Sequence, residues 1–277
     1  MQQVAEDAPA RVLIVAGSDS SGGAGIQADI KTVTMLGGYA MTAVTAITAQ
    51  NTVEVAEVEA LEGWLIERQI EVTLSDIGAD VVKTGLLPTR AAVKAVCKAL
   101  GGARLPIVVD PVLVATTGGR LADGQVARAL VEDLIPRAAL VTPNMPEAAA
   151  LTGIHVETVD DFGKVADVLL AFGAAAVLVK GGHLESERVQ DLLRTADGEE
   201  YWFESERIET RSTHGTGCTL ASAIACGIGE GLTLRHAVAR AREYVLEALR
   251  RAPGFGQGRG PLGHTHPLSA LRERAER

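Results

Sequence analysis

The chain has few aromatic residues, few cysteines and no long hydrophobic run. Aromatics make up 3% of its 277 residues, and its net charge of −9 is not accompanied by a Lys/Arg stripe. Because nucleic-acid sites combine a basic footprint with stacking rings, we expect no nucleic-acid partner. No stretch approaches the ~20 apolar residues of a membrane helix, and Met1–Ala10 lack the apolar region of a signal peptide. These absences predict a soluble, cytoplasmic protein.

The three cysteines, Cys97, Cys218 and Cys226, lack CxxC or CxxxH spacing. This spacing argues against a disulfide framework or a structural zinc site. Cys97 and Cys226 occur in apolar segments and are predicted to be small core residues. Cys218 follows a glycine-rich turn and has a different interpretation, given below.

Short β-branched runs alternate with amphipathic segments along most of the chain. The predicted strands are Val12–Ala16, Ala40–Ala49, Val81–Lys83, Ile107–Asp110, Leu140–Thr142 and Val177–Lys180. The predicted helices are Ala24–Leu36, Ala91–Leu100, Gln125–Leu134, Phe162–Ala171, Thr219–Gly227 and Leu234–Arg251. The alternation predicts an α/β fold with a mainly parallel sheet and helices on both faces.

A hairpin signal around Asp197-Gly198 predicts an antiparallel edge on this sheet. No break in composition marks a second domain, so we expect a single domain over residues 11–267 with flexible termini at 1–10 and 268–277. Polar or glycine-rich residues follow six of the strands: Gly17–Asp19, Gln50-Asn51, Lys83–Gly85, Asp110-Pro111, Asn144–Glu147 and Lys180–His183. Since ligands of open α/β sheets bind beyond the carboxyl ends of the strands, these positions predict one shared crevice.

The first glycine loop, AGSDSSGGAGIQAD, runs from Ala16 to Asp29. It is not a Walker loop, because no Lys-Ser/Thr pair follows the glycines. It meets only the loose GxGxxA form of the dinucleotide fingerprint, and the second strand ends in Gln50 instead of an acid. Asp29 has two interpretations: a hydrogen-bond acceptor in the crevice, or an acid that favours the helix dipole.

The second glycine loop, Ser212–Cys218, opens onto a helix near Thr219. Unpaired N–H groups at a helix start form an anion site. That position is typical of a thiol with a lowered pKa, so Cys218 is a candidate proton acceptor. The alternative is a tight turn with a buried cysteine.

Three charged residues at strand ends or helix starts are candidates for metal and phosphate binding. Asp110 ends an apolar strand before Pro111, a natural position for a Mg²⁺ ligand. Glu147, in TPNMPEA, either joins it or is an ordinary first-turn helix acid. Lys180, in VLVKGGH, either neutralises phosphate charge or reaches solvent.

Eight motifs occur in the order seen in hydroxymethylpyrimidine/phosphomethylpyrimidine kinases: AGSDSSGGAGIQADIKT, TAQNT, VKTGLL, VVDPV, TPNMPEAAALTG, VLVKGGH, THGTGC and GRGPLGHTHP. The chain resembles this family of the ribokinase-like superfamily from about Arg11 to Pro267. The resemblance implies a three-layer α/β/α fold and a homodimer. It also implies two successive phosphorylations of 4-amino-5-hydroxymethyl-2-methylpyrimidine by ATP and Mg²⁺, in thiamine biosynthesis.

The resemblance also implies roles for single residues. The substrate would be held by Gly17, Asp29, Gln50, Leu86 and Val112; ATP by Asn144, Lys180, Thr213 and His214; and Mg²⁺ by Asp110 and Glu147. Gly215, Thr216 and Gly217 would form the anion hole, with Lys180 on the phosphates and Cys218 accepting the hydroxyl proton. The sequence departs from the family at Ser20, where Pro is frequent, and at Leu86, where Met is frequent. Leu and Met have similar volumes, so the second change is mild.

Two alternative functions are considered. A pyridoxal/pyridoxine kinase of the same fold phosphorylates a similar flat alcohol. Gln50 favours the pyrimidine, because its amide both donates and accepts and so matches an aminopyrimidine edge. A nucleotide-binding regulator without catalysis is disfavoured, because His214–Cys218 and Asp110 are all present.

Overall fold

A computed structural model describes residues 8–113, 122 and 124–268, and the expected flexible termini lie mostly outside this part. Its strands are β1 Arg11–Asp19, β2 Tyr39–Gln50, β3 Val55–Ala60, β4 Val81–Thr84, β5 Ile107–Val109, β6 Leu140–Val141, β7 Ala176–Lys180, β8 Arg188–Thr195 and β9 Glu200–Glu206. They form one sheet in the order β3-β2-β1-β4-β5-β6-β7-β8-β9. The six central strands are parallel, and the β2–β3, β7–β8 and β8–β9 pairs are antiparallel.

Helices cover both faces of the sheet. They are α1 Gly25–Met35, α2 Gly63–Asp76, α3 Arg90–Ala99, α4 Val126–Ala129, α5 Met145–Thr152, α6 Phe162–Ala171, α7 Thr216–Gly229 and α8 Leu234–Arg250. Shorter helical segments are Leu130–Leu134, Ile135–Arg137, Val159–Asp161 and His266–Leu268. None of the helices in the described ranges has the length and apolarity that a bilayer-spanning segment requires.

Side-chain alternation along the strands creates two hydrophobic cores. On β1, Leu13 and Val15 pack in one core with α2 to α6. Val12 and Ile14 point to the opposite face and pack with α1, α7 and α8. Because both faces are covered, the central strands consist largely of buried apolar residues, and Lys83 on β4 is buried among them. The predicted α/β fold, with helices on both faces and an antiparallel edge, is confirmed.

The sequence interpretation missed the second antiparallel edge, and it assigned no secondary structure to residues 55–60 or 63–76. The VEVAEVEA segment around β3 alternates apolar and acidic residues, which is the pattern of a half-exposed strand. Val55 and Val58 are half-buried, whereas Glu57 and Glu59 point to solvent. At the N-terminal end of the described range, Ala10 is buried and its carbonyl accepts the N–H of Tyr39 at 2.8 Å.

Strand order reverses at β1. The chain moves from β1 to β2 on one side, and then places β4 on the other side of β1. Such a switch point separates the loops that follow the two neighbouring strands and opens a crevice between them. The first glycine loop follows β1, and Gly85 follows β4, so both border this crevice.

Candidate active site

Asp19 organises the first glycine loop. Its carboxylate accepts N–H groups of Ser21 at 2.8 Å and Ala24 at 2.8 Å, and the ring Nε2 of His214 lies 2.8 Å from Oδ2. Burial acts to raise the pKa of Asp19, but these bonds to its ionised form lower it to about 2. The carboxylate therefore joins the first glycine loop to the second. Sequence reasoning missed this role, although Asp19 stands at the end of a buried strand.

The two glycine loops touch where side chains would not fit. A Cβ on Gly215, which has a φ of +79°, would lie 2.0 Å from the carbonyl oxygen of Gly23. A Cβ on Gly23 would lie 2.4 Å from the His214 ring. Only glycine allows this approach, so the glycines bring the start of α7 against the loop after β1.

The first turn of α7 lies over a buried ion pair. A Cβ on Gly217 would stand 3.3 Å from Lys180 Nζ and 3.8 Å from Asp110 Oδ2. No side chain in the described ranges caps this helix end; the N–H of Thr216 donates to Thr213 at 3.3 Å and that of Thr219 to Gly215 at 2.9 Å. The N–H groups of Gly217 and Cys218 are therefore available to an anion.

Asp110 combines a bound oxygen with a free one. Its Oδ1 accepts Lys180 Nζ at 3.0 Å and Thr142 Oγ1 at 3.2 Å. Its Oδ2 is buried and is among the few side-chain oxygens in the described ranges without a hydrogen-bond partner. A buried carboxylate oxygen without a donor is suited to a hard cation such as Mg²⁺.

Glu147 is the first-turn helix acid that one of the two interpretations expected, and its role as a Mg²⁺ ligand stays a prediction. It forms a capping box with Asn144 at the start of α5, in which each backbone N–H donates to the other residue's side chain. Its Oε2 also lies 3.9 Å from Lys180 Nζ. Burial raises the pKa of Glu147 to about 7; Lys180 opposes this shift and Asp110 adds to it. Asn144 and Glu147 thus stand beside the Lys180–Asp110 pair.

Cys218 lies at the start of α7 as predicted, but its predicted low pKa is wrong. Burial raises the pKa of Cys218 to about 12, against the opposing effect of Lys83, and Asp29 and Asp110 add to the rise. The helix terminus favours a thiolate by a limited amount, whereas loss of solvation and nearby carboxylates act against it. In this state the thiol is protonated at neutral pH.

Asp29 is not available to a substrate in this structure. It is fully buried, and both of its oxygens accept Lys83 Nζ at 2.9 Å. Ser222 donates to Oδ1 at 2.6 Å. The assignment of Asp29 to the substrate ring therefore does not agree with the structure: its acceptor positions are occupied by a lysine 54 residues away. A lysine in the apolar run VVKTG was the signal for such a partner.

Other predicted substrate residues meet near the end of β1. A Cβ on Gly17 would lie 3.0 Å from Leu86 Cδ2, so these two residues border the same space. Gln50 Nε2 lies 3.3 Å from the His214 ring. Val112 follows Asp110 in the next loop and is half-buried. Gln50 and Gly17 thus belong to the crevice at the switch point.

His214 and Thr213 were predicted to contact ATP. The His214 residue is only 1% exposed, its ring bonds to Asp19, and its N–H donates to Gly260 at 3.0 Å. It therefore links loops and does not present a surface to a nucleotide here. Thr213 is half-buried, and its carbonyl accepts Thr216 Oγ1 at 2.8 Å. An ATP contact by Thr213 stays a prediction.

A cleft of about 470 Å³ opens near Lys180. Its walls include Gly182, His183 and Arg207. Burial and the cations Lys180, Arg259 and Arg207 lower the pKa of His183. The cleft therefore carries both signs of charge: Lys180, Arg259 and Arg207 act on His183, and the walls also include Glu185, Glu187 and Glu209.

Comparison with known proteins agrees with this geometry. Residues 19–263 match the family model for phosphomethylpyrimidine kinase. A hydroxymethylpyrimidine/phosphomethylpyrimidine kinase of Streptomyces coelicolor is 44% identical over 256 residues, which cover 92% of this chain and 94% of the relative. The thiamine biosynthesis bifunctional protein ThiED of Geobacter sulfurreducens is 45% identical over 265 residues; the match covers 95% of this chain and 54% of the relative's length.

Among solved structures, the pyridoxal kinase of Staphylococcus aureus in complex with ADP is similar. It superimposes with a TM-score of 0.86 at 33% identity, covering 93% of this chain and 94% of that chain. The shared architecture extends over almost all of both chains. A similar fold therefore serves kinases with different flat alcohols, and the substrate must be argued from the site.

Proposed function

The chain belongs to the phosphomethylpyrimidine kinase family, and we propose that it phosphorylates 4-amino-5-hydroxymethyl-2-methylpyrimidine with ATP and then converts the monophosphate to the diphosphate, for thiamine biosynthesis. One observation carries the proposal: the uncapped first turn of α7 stands over the Lys180–Asp110 pair. Free N–H groups, an ammonium and a carboxylate with an unused oxygen meet at one point. Phosphoryl transfer depends on this kind of positioning and charge neutralisation.

The first turn of α7 holds the phosphoryl group as it moves. The N–H groups of Gly217 and Cys218 donate to its oxygens, and Gly215 permits the turn through its positive φ. Thr216 begins the helix, and its hydroxyl is held by the carbonyl of Thr213. A bond forms between the substrate's hydroxyl oxygen and phosphorus, the bond from phosphorus to ADP breaks, and the hydroxyl proton leaves.

Cys218 is the proton acceptor in this proposal. It adjoins the N–H groups that hold the phosphoryl group, so its sulfur is close to the attacking oxygen. Since burial raises the pKa of Cys218 to about 12, only a small thiolate fraction accepts the proton at neutral pH. Turnover through Cys218 therefore rises with pH below that value.

Asp110 and Glu147 would hold Mg²⁺, which neutralises charge on the phosphates when bound. Among the described residues no three His, Cys, Asp or Glu side chains are grouped as a metal site. Mg²⁺ commonly uses one or two carboxylates together with phosphate oxygens and water. The free Oδ2 of Asp110 fits that arrangement, and Lys180 steadies the phosphates beside it.

The nucleotide lies along the cleft beside Lys180. The cations Lys180, Arg207 and Arg259 supply positive charge there, and Asn144, which forms an isolated β-bridge with Lys180, stands beside it at the start of α5. The pyrimidine lies across the switch point, between Gly17, Leu86 and Gln50. Gln50 contributes one donor and one acceptor to the aminopyrimidine edge.

The protein acts as a cytoplasmic homodimer in this proposal. Ile47 and Val53 belong to the β2–β3 hairpin at the edge of the sheet and are 54% and 59% exposed. Apolar residues exposed together at a sheet edge are typical of a contact between subunits. The same edge borders the substrate crevice through Gln50.

The test is a product analysis with both candidate alcohols. The full-length protein is incubated with Mg-ATP and either the hydroxymethylpyrimidine or pyridoxal, and products are identified by mass spectrometry. We expect the pyrimidine monophosphate, followed by its diphosphate, with less product from pyridoxal. Pyridoxal is the second candidate because of the similarity to a pyridoxal kinase. Formation of pyridoxal phosphate without any pyrimidine diphosphate would reverse the assignment.

A further inference from the structure

Beneath the candidate active site, three side chains from three elements form a closed polar cluster. Lys83 of β4 donates to both oxygens of Asp29 of α1, and Ser222 of α7 donates to Oδ1. All three residues are 0% exposed. Lysine and aspartate are almost never fully buried unless they are paired, and an apolar pair of similar volume is often at least as stable there. Packing alone therefore does not account for charges at this position.

Helix geometry places the cluster directly below Cys218. Gly25 and Asp29 lie four residues apart on α1, and Cys218 and Ser222 lie four residues apart on α7, so each pair shares a helix face. Asp29 meets Ser222 at one level, and at the level above the N–H of Gly25 acts to lower the pKa of the Cys218 thiol. One helical turn, about 5.4 Å, separates the levels.

Four charged side chains act on the Cys218 sulfur from the surrounding elements. Lys83 of β4 and Lys180 at the end of β7 favour negative charge on it, whereas Asp29 of α1 and Asp110 after β5 oppose it. Lys83 differs from Lys180 in being closed off from solvent, with a side chain 0% exposed against 12%. Its charge is therefore fixed in place and screened little by water.

We propose that Lys83 and Asp29 are positioning residues of the phosphoryl transfer: the Lys83 ammonium stabilises negative charge on the Cys218 sulfur, and Asp29 holds that ammonium in place. The inference rests on the proposed function in one respect, the part of Cys218 as proton acceptor. The proton of the substrate hydroxyl passes to the Cys218 thiolate as the O–P bond forms, which leaves a neutral thiol. A fixed cation acts on the thiolate that exists before this step.

The experiment measures how fast iodoacetamide alkylates Cys218 in the full-length protein. The reaction is run at pH 8 with a chelator and without nucleotide, and peptide mass spectrometry follows the Cys218 peptide. The Cys218 residue is partly exposed, although burial raises the pKa of its thiol, so a small reagent is chosen. Cys97, which lies on α3 and is also partly exposed, is followed in the same digests as an internal control. The variants are Asp29→Asn, Lys83→Met and the two changes combined.

Charge predicts opposite effects from the two single changes. Asp29→Asn leaves an unopposed ammonium, so Cys218 should react fastest; Lys83→Met leaves an unopposed carboxylate, so it should react slowest. The combined variant should lie between them, at least about threefold below Asp29→Asn, since a higher thiolate fraction is partly offset by lower nucleophilicity. A purely structural role would loosen the site and speed alkylation in every variant.

Alkylation of Asp29→Asn no faster than that of the combined variant overturns the proposal. If Lys83→Met does not fold, the comparison of Asp29→Asn with the combined variant is sufficient. Neither of these two proteins contains a buried Asp29 carboxylate without its cation, so both should fold. Turnover of Cys218→Ala tests the proposed function separately, with an expected loss of about 10²–10⁴-fold. If that loss is below about tenfold while the alkylation order holds, the pair still acts on Cys218, and its part in catalysis is refuted together with the acceptor role.

Discussion

Two lysine–aspartate pairs stand side by side in this protein: a closed pair, Lys83–Asp29, and an open pair, Lys180–Asp110. In the Lys83–Asp29 pair both carboxylate oxygens accept hydrogen bonds, and neither side chain is exposed. In the Lys180–Asp110 pair one oxygen is bonded and the other has no partner, and Lys180 is slightly exposed. The closed pair is complete within the protein. The open pair has an unused oxygen, and this is the property expected of a ligand site.

The largest expected effect separates the pairs by stability. Lys83→Met leaves Asp29 as an uncompensated buried charge, which typically costs about 3–5 kcal/mol in the free energy of unfolding. Lys180→Met should cost less, because the Lys180 side chain is 12% exposed and water can replace part of it beside Asp110. Urea unfolding at pH 7 measures both losses.

The matched control is Lys83→Met combined with Asp29→Asn, which removes both charges and should recover most of the stability. Equal losses for Lys83→Met and Lys180→Met would show that the two pairs do not differ in this way. A combined variant as unstable as Lys83→Met would show that packing of the lysine stem, and not charge, is responsible.

The second effect concerns turnover. Here the substitution in the open pair, Lys180→Met, is expected to have the large effect. Lys180→Met removes a cation that stands 3.3 Å from the Cβ position of Gly217 in the anion-binding turn. Loss of one preorganised group of this kind typically lowers kcat about 10²–10³-fold. Steady-state assays at saturating Mg-ATP measure it. Lys164→Met is the control, because Lys164 is an exposed lysine paired with Asp161; near-normal turnover in both variants would place Lys180 outside the reaction.

The open pair was accessible to sequence reasoning and the closed pair was not. Asp110 and Lys180 each end an apolar strand, and parallel strands bring their ends to one edge of the sheet. Lys83 stands in an apolar run, which indicates a buried partner, but nothing local in the sequence shows that this partner is Asp29. The pKa of Cys218 was misjudged for the same reason. The helix start, which lowers a thiol pKa, is visible in the local sequence, whereas burial, which raises it, depends on residues that are distant in the sequence.

Glycine positions were the most informative part of the sequence for the site. The anion site was predicted at the second glycine loop from its small residues, and in the structure Gly215 of that loop stands against Gly23 and Gly217 stands against Lys180. The role of Asp19 was missed, since any polar residue after a strand can be a simple turn residue. The fold itself followed from the alternation of strands and helices, apart from the exposed β3, whose alternating pattern carries only half a hydrophobic face.

The smallest expected effect tests whether the open pair carries unbalanced negative charge. Burial raises the pKa of Glu147 to about 7 from an ordinary value of 4.5, so its ionised form is less favourable in the folded protein than in the unfolded chain. The folded protein therefore has its full stability below pH 4.5, where Glu147 is protonated in both the folded and the unfolded state. The stability falls as the pH rises through about 7, because Glu147 ionises more readily in the unfolded chain. By pH 8 the loss approaches about 3 kcal/mol, at about 1.4 kcal/mol per pKa unit. Glu147→Gln removes the charge and keeps the capping box.

Metal-free Glu147→Gln should therefore match wild type in stability near pH 4.5 and exceed it at pH 8, as measured by urea unfolding. Glu187→Gln, at an exposed glutamate, is the control and should follow wild type throughout. Mg²⁺ should raise the melting temperature of wild type at pH 8 and that of Glu147→Gln less, because a cation at the free oxygen of Asp110 relieves the same repulsion. If the wild-type and Glu147→Gln curves stay parallel from pH 4.5 to 8, Glu147 carries no such strain. The contrast between the open and the closed pair would then rest on Asp110 alone.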